Sequence, residues 1–91
     1  SVLAACPEPI APEKPTEEAT HEELLEAQAA VRRFSKEINV YVACLNIQAV
    51  RYGDDVSAEK QALTRAHNDA VQTLSAAVRD FNAAVRALAT R

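Results

Sequence analysis

Two cysteines and one histidine are the side chains of this sequence with the clearest capacity for chemistry. Cys6 and Cys44 could form a disulfide, and the two thiols together with His67 could form part of a zinc site. A zinc site needs ligands in closely spaced pairs, however, and the other histidine, His21, lies far from His67 in the chain. The sequence therefore predicts no metal and no other cofactor.

Residues that could act in catalysis are few. Asp54 and Asp55 could serve as paired carboxylates, but they are expected in an exposed turn, where burial cannot raise the pKa of a carboxyl group. No serine is spaced with a histidine and an acid as in a hydrolase triad, and a single glycine cannot form a glycine-rich phosphate loop. We therefore expect the protein not to be an enzyme.

A proline-rich arm is the first of the elements that must position the cysteines. Its prolines recur every two or three residues, at Pro7, Pro9, Pro12 and Pro15. This spacing prevents a helix and favours an extended polyproline II conformation. Residues 1–19 are therefore predicted to form an extended arm, although composition alone would favour a disordered tail.

Residues 20–52 are predicted to form the first helix. Thr20 and Glu23 have the spacing of a capping box, which begins a helix, and Gly53 suits the position after the last turn. Apolar residues recur at every seventh position along the segment, at Leu24, Val31, Ile38, Leu45 and Tyr52. Because such residues share one face of a helix, this row predicts a coiled-coil seam.

Residues 58–90 are predicted to form the second helix, with Ser57 as its N-cap. Two rows with three-four spacing predict its seam, namely Val71, Val78 and Val85, and Leu74, Phe81 and Leu88. Folding the chain back at Gly53 pairs Ile38 with Val71, Phe34 with Leu74, Val31 with Val78, Ala27 with Phe81, and Leu24 with Val85. The predicted fold is thus all-α, an antiparallel two-helix coiled-coil hairpin over residues 20–91.

The reach of the arm favours a bond between Cys6 and Cys44. From Cys6 to Thr20 the arm covers roughly 43 Å in a polyproline II conformation, and Cys44 lies roughly 36 Å along the first helix from Thr20. The arm can therefore pack back along helix one and pair the two cysteines within one chain. Two free buried thiols, a metal site and a bridge between two copies of the chain remain as alternatives.

Alanines give the second helix a smooth surface besides its seam. Small side chains permit the close approach of another element, which could be the arm, a second copy of the chain or a larger partner. We expect this flank to form an interface with a protein partner. The residues predicted to form it are Ala62, Ala66, Ala70, Ala77 and Ala84.

Composition and charge exclude several classes of function. With a net charge of -3 over 91 residues, the chain lacks the basic surface that nucleic acid requires. It has no run of about twenty apolar residues, so we do not expect it to span a membrane. Two cysteines and the lack of methionine favour a processed protein from an oxidising compartment. Residues 3–6 read LAAC, as in a lipobox, but other residues precede Cys6 and Pro7 follows it, so a lipid anchor at Cys6 is not expected.

The first half of the chain resembles a group of small exported bacterial helical-hairpin proteins of uncharacterised function. The shared features are a cysteine followed by a proline-rich arm, an acidic segment, and a helix with a second cysteine. The residues that carry the resemblance are Cys6, Leu24, Val31, Phe34, Tyr41, Cys44 and Leu45. The resemblance implies a periplasmic or extracellular location and carries no functional residues.

Two functions fit these observations. The first is an exported structural or accessory interaction module, a small subunit of a larger or self-associated assembly that performs no catalysis. The second is a small periplasmic binding protein that holds a hydrophobic ligand or a metal between the hairpin and the arm. A cavity or an ion near His67 and Cys44 would favour the second.

Overall fold

The computed structural model describes residues 5–52 and 58–91, and within these residues it contains two helices and no strand. The helices are α1 (His21–Arg51) and α2 (Ala58–Ala89), so the predicted helix ends lie at most one residue from the observed ones. They pack against each other in a rod with principal extents of 54 × 17 × 15 Å. The predicted all-α hairpin is confirmed, while the predicted turn at residues 53–57 and residues 1–4 of the arm lie outside the described residues.

The start of α1 is the predicted capping box. The backbone N–H of Thr20 donates to Glu23 Oε1 over 3.0 Å, and the backbone N–H of Glu23 donates to Thr20 Oγ1 over 3.1 Å. These contacts with the backbone and side chain of Thr20 lower the pKa of Glu23, and the nearby charge of Arg91 lowers it further. The ionised carboxylate therefore stabilises the helix start at neutral pH, and this contribution is lost as the pH falls through the lowered pKa.

The seam of α1 is the predicted one. Of its seventh-residue row, Leu24, Ile38 and Leu45 are buried, and Val31 and Tyr52 are half-buried. Phe34 and Tyr41, which lie between members of this row, are buried as well. One face of α1 thus supplies most of the bulky side chains in the core.

Of the two rows predicted to form the seam of α2, only one packs against the core. The row of Leu74, Phe81 and Leu88 packs against the core, but the row of Val71, Val78 and Val85 is 47%, 41% and 41% exposed. The second row of the seam is instead formed by small residues one position earlier and by one leucine. Its members are Leu63, Ala70, Ala77 and Ala84, of which only Ala77 is not fully buried.

The pairing of the helices changes accordingly. Leu24, predicted to face Val85, lies in one cluster with Ala84, and Ile38, predicted to face Val71, lies in the other cluster with Ala70. A shift of one residue turns a helix by about 100° around its axis. Because α1 already supplies Phe34, Tyr41 and other large side chains, alanines opposite them fill the space between the helices better than valines would.

The arm runs back along α1, as predicted, and it covers the alanine side of α2. At its base, Ala19 is buried with Leu24 and Ala84, and the guanidinium of Arg91 donates to the Ala19 carbonyl oxygen. Farther along, residues 11–15 line a narrow cavity of about 140 Å³ together with α1 and α2. The α2 residues that line it include Ala76 and Ala77, so the arm is the element that approaches these alanines closely.

Candidate functional site

The predicted pairing of Cys6 with Cys44 is present in the structure. The two Sγ atoms lie 2.06 Å apart and the Cα atoms 5.7 Å apart, and neither cysteine is free. Cys6 is 2% exposed and belongs to the same buried cluster as Phe34 and Tyr41. The bond therefore holds the beginning of the arm against the core, far along α1 from the arm's base at Ala19.

The alanines predicted to form a partner interface lie mainly inside the hairpin. Ala70 and Ala84 are buried in the two core clusters, and Ala66 and Ala77 are half-buried against the larger one. Ala62 is half-buried. Ala70 and Ala84 therefore pack inside the hairpin, and the interface of this alanine flank with a protein partner stays a prediction.

His67 lies half-buried in the seam of α2. Within residues 5–52 and 58–91, no group of three or more histidine, cysteine, aspartate or glutamate side chains is placed to bind a metal ion. Both sulfur atoms that could have joined His67 as ligands are in the disulfide. The imagined set of Cys6, Cys44 and His67 is thus not a metal site in this structure.

A groove of about 660 Å³ lies between the beginning of the arm and α1. Its floor includes Tyr41 and Cys44, and its rim carries charged side chains from both elements. The residues that line it are Pro7, Glu8, Pro9, Ile10, Lys36, Glu37, Val40, Tyr41 and Cys44. Burial raises the pKa of Tyr41, and the carboxylates of Glu8 and Asp69 raise it further, so this phenol is neutral at physiological pH.

The exposed valines of α2 form a second feature, which we call the valine row: Val71, Val78 and Val85. It follows the side of α2 that the arm does not cover, and a shallow groove of about 560 Å³ runs beside Val78. Ser75 and Asn82 are exposed along the same side, and Arg79 and Arg86 line the groove with them. The valine row is therefore an apolar strip without a covering element in the described part of the chain.

A third feature lies on the side of α1 that points away from the core, and we call it the α1 outer face. All of its members are exposed: Ala29, Arg32, Arg33, Lys36, Val40, Ala43, Ile47, Val50 and Arg51. Val40, Ile47 and Val50 are 72%, 57% and 80% exposed, and Ile10 of the arm, which shares a groove with Val40, is 90% exposed. The α1 outer face is therefore an exposed helix face that combines apolar and basic side chains.

The sequence contains a pattern for the valine row and another for the α1 outer face. Residues 38–50 contain no charged side chain, and Val40, Ala43, Ile47 and Val50 repeat with the three-four spacing of a helix face. The spacing of the valine row predicts a place in the seam between the helices, whereas the structure leaves these valines exposed.

Comparison with protein-family models, with curated proteins and with solved structures found no match to this chain. Across residues 5–52 and 58–91, neither helix is sufficiently long and apolar to cross a membrane. The exposed surfaces and the disulfide are therefore the features from which a function can be inferred.

Proposed function

We propose that this protein is an exported interaction module that acts by associating with a second copy of itself through the valine row, without catalysis. The observation that carries the proposal is the exposure of Val71, Val78 and Val85 at seven-residue intervals along a helix. Such a row is the pattern by which one helix packs against another.

The asymmetry of the hairpin supports this surface. Two helices in contact leave a groove on each side, and here the arm covers the groove on the alanine side. The valine side has no such cover among the described residues. Another helix placed on that side would bury the valine row in the way that the arm buries the alanine side.

The even spacing of the valine row supports a second copy as the occupant. If two α2 helices pack antiparallel about a two-fold axis at Val78, Val71 of each copy faces Val85 of the other. An interface of this kind is isologous, because each copy contributes the same residues. The product is a four-helix bundle made of two hairpins, an arrangement whose apolar seams are built from the same spacing.

An exported, oxidising location is supported by the disulfide. Bonds of this kind persist mainly outside the cytosol, and here the bond secures an arm with little helix or sheet structure of its own. A small domain with a thin core gains much of its stability from such a bond. A periplasmic or extracellular accessory subunit is the role that fits these properties best.

Val78→Arg tests the proposed self-association. A charge at the centre of the interface should weaken dimerisation by roughly thirtyfold or more, the size of a hot-spot effect. Sedimentation velocity over a concentration series would measure this change. Because Val78 is 41% exposed, the arginine can reach solvent in the single chain, and circular dichroism should show unchanged helix content.

Gln72→Arg is the matched control, since it adds the same charge to an exposed position of α2 outside the valine row. It should leave the dimerisation constant within about twofold, as changes at an interface periphery do. A wild-type chain that sediments as a monomer throughout the series would contradict the proposal. Equal weakening by Gln72→Arg and Val78→Arg would do so as well.

A second candidate function is the binding of a small hydrophobic molecule in the groove between the arm and α1. Its volume of about 660 Å³ and its apolar wall of prolines, Ile10, Val40 and Tyr41 favour this candidate. Because the arm forms one wall, opening the disulfide should remove the site. Titration of the wild-type protein with dansyl-undecanoic acid should give a saturable rise in fluorescence. The affinity measured in this way should be at least tenfold lower for the variant Cys6→Ser/Cys44→Ser. Saturable binding that is the same for both proteins would place the ligand elsewhere.

A further inference from the structure

The α1 outer face combines apolar side chains with positive charges. An apolar strip in the C-terminal half of α1 is formed by Val40, Ala43, Ile47 and Val50. The strip is preceded by Arg32, Arg33 and Lys36 and followed by Arg51. In the described part of the chain, none of these four cations takes part in an ion pair. The face is about 33 Å long from Ala29 to Arg51 at the helical rise.

Acidic side chains flank the α1 outer face. Glu8 of the arm and Glu37 of α1 line the groove beneath the arm together with Lys36. Glu22 and Glu26 are exposed in the first turns of α1, on the same side of the helix, because residues seven positions apart share a helix face. The apolar and positively charged part of the face is therefore the stretch from Ala29 to Arg51, and a surface laid on this stretch meets its four cations.

A second copy of the chain does not suit this face. If two α1 helices packed antiparallel with their apolar strips aligned, Val40 of one copy would face Val50 of the other. Arg51 of one copy would then lie within about one turn of Lys36 of the other, and the like charges would repel. An acidic protein surface would pair with the cations but would not account for the strip of exposed valines and isoleucines.

We propose that the α1 outer face binds the surface of a bilayer that contains anionic lipids, with residues 29–51 of α1 lying along the bilayer surface. A bilayer accounts for both the apolar and the basic side chains of the face. The apolar side chains enter the boundary of the acyl chains, and arginine and lysine pair with the anionic headgroups. Ile10, which stands beside Val40 at the edge of the face, would enter with them. This goes beyond the proposed self-association, since it uses the other helix.

Co-sedimentation with vesicles tests the proposal. The protein should bind vesicles of phosphatidylglycerol and phosphatidylcholine and remain in solution with phosphatidylcholine alone. The triple variant Arg32→Gln/Arg33→Gln/Lys36→Gln should bind the anionic vesicles roughly a hundredfold more weakly, given the usual contribution of each basic residue near a membrane. Raising the salt concentration should also weaken the binding of the wild-type chain to anionic vesicles.

A second triple variant is the matched control. Arg65→Gln/Arg79→Gln/Arg86→Gln removes the same charge from exposed positions of α2, so its binding should stay within about threefold of wild type if the α1 outer face is the contact. Val40→Ser/Val50→Ser should lose roughly tenfold without loss of helix content.

A fluorescent reporter gives an independent measurement. The chain contains no tryptophan, so Ile47→Trp introduces a single one on the face, and its emission should shift to the blue with anionic vesicles only. Equal loss of binding in the two triple variants would reduce the effect to net charge and overturn the proposal. Failure to bind any vesicle, with capture of the protein by polyglutamate, would overturn it in favour of an acidic protein partner.

Discussion

Phe34→Ala is expected to lower the free energy of unfolding by about 4 kcal/mol, the usual cost of truncating a fully buried aromatic ring. Phe34 is 1% exposed and lies in the larger core cluster with Cys6, Ile38 and Ala70. The residues opposite it on α2 include small alanines, which cannot extend into the space that the ring would leave. Urea unfolding followed by circular dichroism would measure the change in stability.

Val40→Ala is the control for this prediction, because it removes apolar atoms from the same helix at a position that is 72% exposed. It should change stability by less than about 0.5 kcal/mol, as surface substitutions do. Phe81→Ala should fall between the two, since Phe81 is half-buried at the smaller cluster. A cost below about 1 kcal/mol for Phe34→Ala would show that the core lies on another face of α1.

Cys6→Ser/Cys44→Ser is expected to lower the free energy of unfolding by a similar amount, about 4 kcal/mol. The bond joins residues separated by 38 positions, and closing a loop of that length in the unfolded chain accounts for about this energy in the loop-entropy model. For a domain of this size, such a loss lowers the melting temperature by roughly 20 °C. Thermal unfolding followed at a helix wavelength would measure it.

The helices should survive the loss of the bond. Both clusters join α1 to α2 through apolar side chains, and Cys6 belongs to only one of them, so the helix signal at low temperature should stay close to that of wild type. Reduction of the wild-type protein should reproduce the shift, and the double variant should not respond to reductant. Loss of most helix content in the double variant would mean instead that the arm is needed for the hairpin to form.

The valine row and the α1 outer face are separate surfaces on different helices. The valine row is on α2 and the α1 outer face is on α1, so one chain has room for a second copy on one side and for a bilayer on another. The variants at Val78 and at Arg32, Arg33 and Lys36 therefore test independent surfaces. Failure of either proposal would leave the other in place.

The sequence by itself determined the two helices and the start of α1, and it favoured the pairing of Cys6 with Cys44. Thr20 and Glu23 mark the start of α1 because a capping box is a local contact, complete within one turn. The row from Leu24 to Tyr52 identified the buried face of α1, since large apolar side chains at seven-residue intervals can share only one side of a helix. The length of the arm then limited which positions along α1 Cys6 could reach to form a disulfide.

Only the tertiary structure decided which side of α2 faces inward. Both the valine row and the row of Leu63, Ala70, Ala77 and Ala84 have the spacing of a seam, and they differ by a rotation of about 100° around the helix. Local sequence cannot choose between them, because the choice depends on the volume that α1 and the arm leave open. Phe34 and Tyr41 fill that volume from α1 and residues 11–15 approach from the arm, so the small alanines turn inward and the valines remain outside.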